Sequence, residues 1–201
     1  MSSSPVPLIR KAYADTTHGQ IHYRYAHPPQ NVAPKPTPLL FLHKSASSSA
    51  SHTSLMIIYA SRGYICYAPD MPGFGGSFDQ SPEAISLIQS KDWHYLKNMG
   101  VGEDINLWQR EAVDHIRAWK GRNLVYGAVW DQDAEILYAD VKCKVLLMCA
   151  RDDVLWKYFD HVKDLRSDVR AVEVAGGNFE LDRDVEGIEK YWIEFLEGSF
   201  E

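Results

Sequence analysis

These 201 residues predict an α/β chain on a mostly parallel sheet, and two stretches carry that reading. The first runs from Leu39 to Ser77. It holds an apolar run at 39–42, a Ser-rich turn, helix-compatible sequence, a second apolar run over 64–69 and a Gly-rich turn. Strand, turn, helix, strand, turn is one βαβ crossover. The second stretch is a pair of segments, 8–14 and 20–26, whose alternating apolar and polar residues flank Asp15-Thr-Thr-His-Gly19 and predict an N-terminal antiparallel hairpin. Because 39–42 and most of 64–69 are continuously apolar, each of these strands is expected to be buried on both faces, with helices on both sides of the sheet. Ligands of such sheets collect beyond the strand ends, here the turns at 43–49 and 70–77.

Composition narrows the field. With 45% apolar and 12% aromatic residues the chain can bury a sizeable core in one domain. A net charge of −6 argues against polyanions, so no nucleic acid partner is expected. Cys66, Cys143 and Cys149 show no C-x-x-C spacing and read as reduced core thiols. No run of about 18 apolar residues predicts a membrane span. Met1 to Pro7 lacks the basic and apolar regions of a secretory signal, and the last residues are not a peroxisomal signal, so a cytoplasmic location is expected. No metal cluster stands out, and Gly73-Phe-Gly-Gly76 only imitates a phosphate fingerprint, so no cofactor is expected.

In chain order, His18, His22 and His27 fall in or beside the hairpin and are expected to be exposed. Residues 27–38 carry five prolines and form a surface connection. After the strand at 39–43, Ser51 or Thr53 is a candidate N-cap for a helix over 53–61 that Gly63 ends. A Ser-rich turn at a helix mouth offers outward backbone N–H groups to an anion or oxyanion. Pro82 to Ser90 reads as a short helix that runs into Lys91-Asp-Trp-His-Tyr-Leu-Lys97. A helix is expected over 102–121. Its buried stripe would be Ile105, Trp108, Ala112, Ile116 and Trp119, with Glu103, Arg110, Glu111 and Arg117 opposite and Gly121 as its stop. His115 lies beside the stripe and reads as structural. A second helical stretch occupies 123–140. Val145 to Cys149 is a strand followed by Ala150-Arg-Asp-Asp153-Val-Leu-Trp156, residues 170–175 form the last strand, and Asp184 to Leu196 the last helix, with Gly198 after it. His161 falls in a surface helix.

The Leu42-His43 turn after one strand and Asp70-x-Pro72-Gly73-x-Gly75-x-Ser77 after the next resemble the third and fourth strands of the α/β-hydrolases. The resemblance implies a shortened α/β-hydrolase-like sheet and a Ser-His-acid site whose serine sits on a G-x-S-x-G elbow. No such elbow occurs in the sequence. A βαβ unit needs about 30 residues, and the span after Phe78 cannot hold one. An internal deletion is therefore expected near 90–92, followed by a cap-like helical insertion over about 93–140, within a single domain of residues 1–201. The resemblance puts Lys44 where the family has Gly, Ala150 and Asp153 at the Gly and acid of the seventh-strand loop, and Asn178 at the catalytic His. Asparagine cannot take a proton near neutral pH.

What survives is a set of three turns. Asp153, His43 and Ser45 are the candidate catalytic residues, with Ser47 weighed beside Ser45 as a substitute nucleophile for which His43 would be the base. Lys44, Trp156 and Asn178 are the candidate substrate contacts. Trp93, Trp108 and Trp119 suggest an aromatic pocket or ordinary core. Lys11-Ala-Tyr-Ala-Asp-Thr-Thr-His-Gly-Gln-Ile-His-Tyr-Arg-Tyr25 is similar in texture to fungal hydrolases of secondary metabolism. That similarity implies a small apolar ester, thioester or polyketide-like substrate, and the missing elbow with Asn178 at the His position implies that any catalysis proceeds without a covalent serine intermediate, as in a lyase, isomerase or cyclase. The alternative is a non-catalytic shortened member: a binding or scaffold protein, or a truncated isoform. Loss of central strands would leave a sheet edge exposed, through which a homodimer could form.

Overall fold

The computed structural model describes residues 6–78 and 98–198. They divide into two compact units, one of 6–78 with 103–125 and one of 98–102 with 126–198. The expected helix at 82–90, Trp93 and the join near 90–92 lie outside the described residues.

In the first unit β1 (Arg10–Thr16) and β2 (Gly19–Ala26) form the expected hairpin, with Thr16 opposite Gly19. The 3-10 turn Ser49–His52 leads into α1 (Thr53–Ser61) between β3 (Leu39–Leu40) and β4 (Cys66–Pro69). The sheet is mixed, in the order β1-β2-β4-β3: β2 is antiparallel to β1 and β4, and β3 is parallel to β4. The helix start differs from expectation. Ser48, not Ser51 or Thr53, supplies the cap, its hydroxyl accepting the Ala50 N–H ahead of the 3-10 turn. Leu55, Met56 and Tyr59 of α1 are fully buried with Cys66 and Ala68 of β4, and burial of each large side chain contributes about 1.5–3 kcal/mol.

The strand over 39–43 is shorter than its apolar run, although the Phe41 N–H still reaches the Tyr67 carbonyl at 2.8 Å. Nor is it buried on both faces: Phe41 is 2% exposed, but Leu40 is 62% and Leu42 59% exposed. Successive side chains alternate between faces, so Leu40 and Leu42 share the face opposite Phe41, and that face is left uncovered. β3 is also the last strand of its sheet among the described residues.

The long helix departs furthest from its periodicity. Instead of stopping at Gly121, α2 runs unbroken over Ile105–Trp130, and α3 is only Ala134–Ala139. Gly121 serves close packing: a Cβ there would lie 2.8 Å from the Gly73 carbonyl oxygen and from Phe74 Cε2. The buried face is Leu107, Glu111, Asp114, His115 and Ala118, whereas Ile105, Val113 and Ile116 are exposed. Small residues and polar bonding set this rotation. Ala118 packs with Ala46 and Phe74, Asp114 accepts the Ser48 hydroxyl at 2.8 Å, and His115 Nδ1 bonds the Glu111 carbonyl at 2.8 Å.

The second unit holds β5 (Leu146–Ala150) and β6 (Arg170–Val174), a parallel pair, with α4 (Phe159–Asp164), α5 (Glu180–Arg183) and α6 (Val185–Glu197). Val174, Phe179 and Ile188 are buried. Gly198 ends α6 in the left-handed region at φ +71°. Arg166 Nη1 donates to the Val141 carbonyl at 2.7 Å. His161 lies on α4, exposed and bonded to Glu135 at 2.9 Å. Of the three cysteines only Cys66 is buried; Cys143 is exposed, because it sits in the connection ahead of β5 rather than in the strand.

Candidate ligand site

The turn after β4 is organised by one carboxylate. Asp70 is 2% exposed, and the glycines beyond it let the chain fold back over it. Its Oδ1 accepts the Ser49 N–H at 2.6 Å, and its Oδ2 accepts the Gly76 N–H and meets His22 Nδ1, both at 2.7 Å. The backbone closes the same knot. Asp70 N–H donates to the His22 carbonyl at 2.8 Å, and the Ser77 hydroxyl donates to the Asp70 carbonyl at 2.6 Å while accepting the His22 N–H at 2.9 Å. A Cβ on Gly75 would run into the Asp70 carboxylate, and this glycine has φ +54°. Burial pushes the Asp70 carboxyl up, but the bonds from Gly76, Ser49 and His22 outweigh it and hold the group below the usual carboxylate range. His22 is thus buried, not an exposed edge residue, because Asp70 draws its ring inward; His18 and His27 are exposed.

The turn after β3 brings His43, Lys44 and Ser45 together. His43 Nε2 accepts the Met71 N–H at 3.0 Å, so Nδ1 carries the proton and donates to the Lys44 carbonyl at 2.8 Å. Both ring nitrogens of His43 are therefore committed to backbone. The Ser45 hydroxyl is buried and bonds no described residue, and Lys44 is exposed. The left-handed residue of this turn is Ala46, at φ +60°, which costs on the order of 1 kcal/mol or more without glycine's freedom.

In the second unit, Ala150 pairs with Val174, so the loops that follow the two parallel strands leave side by side. Asp153 Oδ1 accepts the Leu155 N–H at 2.6 Å and caps its own turn. Trp156 stacks on Phe159 with centroids 4.7 Å apart, and the Arg151 guanidinium lies 4.9 Å from the Trp156 ring centroid. Asn178 donates from Nδ2 to the Met99 carbonyl at 3.1 Å. Of the expected site residues, the structure thus places three in one turn of the first unit and three in paired loops of the second.

A cavity of about 550 Å³ in the first unit is lined by His22, Asp70, Ser48 and Asp114 among others. Burial pushes the Asp114 carboxyl up, partly offset by the Ser48 hydroxyl bond. Sequence reading missed His22 and Asp114. Neither had a local signal: His22 is buried by its bond to Asp70, forty-eight residues away, and the helix of Asp114 is rotated away from its apolar stripe. Among the described residues no group of three or more His, Cys, Asp or Glu side chains could hold a metal.

The fold as a whole has counterparts among solved structures. N-acyl homoserine lactonase AidH, complexed with N-hexanoyl homoserine lactone, aligns over 94% of this chain and 97% of its own, with a TM-score of 0.68 and 15% identity. The chain has the α/β-hydrolase fold. E-2-(acetamidomethylene)succinate hydrolase shares the α/β-hydrolase fold over 94% of this chain and 100% of its own (TM-score 0.67, 13% identity). The thioesterase domain from the curacin biosynthetic pathway does so over 92% and 98% (TM-score 0.61, 8% identity). No protein-family profile and no curated protein matches the sequence.

Proposed function

We propose that this chain is an α/β-hydrolase-family protein that takes a small apolar ester, thioester or polyketide-like metabolite of secondary metabolism and does not process it through a serine acyl-enzyme. One observation carries the reading. Asn178 stands in the loop after the last strand, where the family resemblance calls for the catalytic base, and its Nδ2 donates to the Met99 carbonyl. The sequence holds no G-x-S-x-G elbow. His43, the base available to Ser45, has both nitrogens on backbone groups. The names of the structural neighbours, a lactonase, a hydrolase and a thioesterase, support a carbonyl-bearing ligand. On this account Lys44, Trp156 and Asn178 bind, Asp153 stabilises local charge, and chemistry, where it occurs, is a lyase, isomerase or cyclisation step promoted by oriented dipoles. Cytoplasmic location belongs to the same proposal.

The exposed Leu40 and Leu42 on the open β3 edge favour a second reading, a non-catalytic shortened member that forms a homodimer or binds a partner through that edge. Incubation of the full chain with 4-nitrophenyl butyrate and an acyl thioester tests the first. The expected result is no hydrolysis above buffer, identical for the wild type, Ser45→Ala and His43→Ala. Turnover that both substitutions abolish would overturn it.

A further inference from the structure

The cavity over the Asp70 knot has a second wall that the function proposed above does not use. Lys11 on β1 lies directly opposite Arg24 on β2, and Tyr13 opposite His22. Residues two apart on a strand share a face, so all four project to one side of the hairpin, and all four line the cavity. Like charges directly opposite one another in a sheet destabilise it. Here the pair is retained, and a third cation, Arg117 of α2, lines the same cavity.

None of these three is directly ion-paired among the described residues. Among the described residues, no carboxylate pairs with Lys11, Arg24 or Arg117, and Arg24 Nε is buried with no hydrogen-bond partner. The two acids that face the cavity are otherwise engaged. Asp70 is held by Ser49, Gly76 and His22, and Asp114 accepts the Ser48 hydroxyl in a buried setting that favours its neutral form. His22 spends Nδ1 on Asp70 and turns its other nitrogen away from that bond. In a chain whose net charge is −6, three unpaired cations from three elements on one cavity are an electrostatic hole for an anion. The volume, about 550 Å³, suits a small molecule rather than a bare ion.

We propose that this cavity binds the oxyanion of a small organic molecule, a carboxylate or a phosphate, through Lys11, Arg24 and Arg117. Guanidinium groups match either oxyanion in bidentate geometry. The described lining of the cavity does not include Ser45.

Titration calorimetry on the full chain with succinate and, separately, inorganic phosphate tests it. The expected result is saturable binding of at least one, with the stronger heat naming the oxyanion. Binding should weaken about tenfold or more in Arg24→Gln and in Arg117→Gln, and severalfold on raising salt from about 50 to 200 mM. Lys11→Gln serves as the folding control, because removal of one of two opposed charges should leave the unfolding temperature unchanged or raised. Absence of saturation with both probes, or equal affinity in Arg24→Gln and Arg117→Gln, would overturn the proposal. A clear drop in the unfolding temperature of Lys11→Gln would also overturn it, by showing the lysine to be a structural partner.

Discussion

His22 Nδ1 and Asp70 Oδ2 meet at 2.7 Å, both side chains almost wholly out of solvent. This contact ties β2 to the turn after β4, and Ser49 N–H ties the same carboxylate to the mouth of α1. One side chain thereby fixes the relation of hairpin, crossover and turn, and its loss should be felt throughout the first unit.

Asp70→Asn keeps the size of the group but turns an NH₂ toward donors that need an acceptor. The expected cost is about 3 kcal/mol, read as a lower urea midpoint. A change within about 0.5 kcal/mol, the range of ordinary surface substitutions, would show that the knot is not a stabilising hub.

The pH dependence follows from the same group. Its folded carboxyl lies below the usual range, so its contribution is fully present above the ordinary carboxylate value and is lost as pH falls from there through the depressed folded value. Acid should therefore unfold the wild type more steeply than Asp70→Asn. Asp114 has the opposite sign: burial raises it, so its ionisation costs stability near neutrality and the cost is relieved as pH falls through the raised value. Asp114→Asn is expected to unfold at a temperature equal to or above the wild type at pH 7, with the advantage gone in acid. Thermal melts across pH 3 to 7 check both.

Gly121→Ala sets two effects against each other. In an exposed helix the change would stabilise by up to about 1 kcal/mol. Here the new methyl meets Gly73 backbone and Phe74, and overpacking of this kind costs about 1–3 kcal/mol. Net destabilisation is expected in urea unfolding; stabilisation would mean that α2 does not pack on the Asp70–Ser77 turn.

The thiols should separate by accessibility and protonation. Burial pushes Cys66 up to about 12, and burial first, then Asp153 and Glu180, pushes Cys149 up to about 11, whereas Cys143 is exposed. Iodoacetamide at pH 8 should alkylate Cys143 well before the others, a pattern that peptide mass spectrometry resolves.

The hairpin, the crossover and the last helix were legible because each is written in local chemistry: alternation around Gly19, apolar runs ending in Ser-rich and Gly-rich turns, and an apolar stripe closed by Gly198. Where tertiary contacts outvote local pattern, the sequence misleads. Gly121 looks like a stop but is a close-packing point, and Ile105 and Ile116 face outward while Asp114 is bound to Ser48, sixty-six residues away. The strand at 39–42 looked doubly buried because an apolar run does not reveal whether anything packs on the face that Leu40 and Leu42 share. The candidate turns were legible as turns, and the family resemblance ranked their residues. The hydrogen bonds that commit His43, Asp153 and Asn178 to nearby backbone depend on loop geometry that no spacing encodes.

The central claim, a hydrolase scaffold without serine chemistry, is tested most directly by a fluorophosphonate on the purified full chain, read by intact mass. The account predicts the unmodified mass after prolonged incubation, for the native and the heat-denatured protein alike. A stoichiometric adduct that maps to one serine, forms only on the native chain and disappears in Ser45→Ala would contradict it.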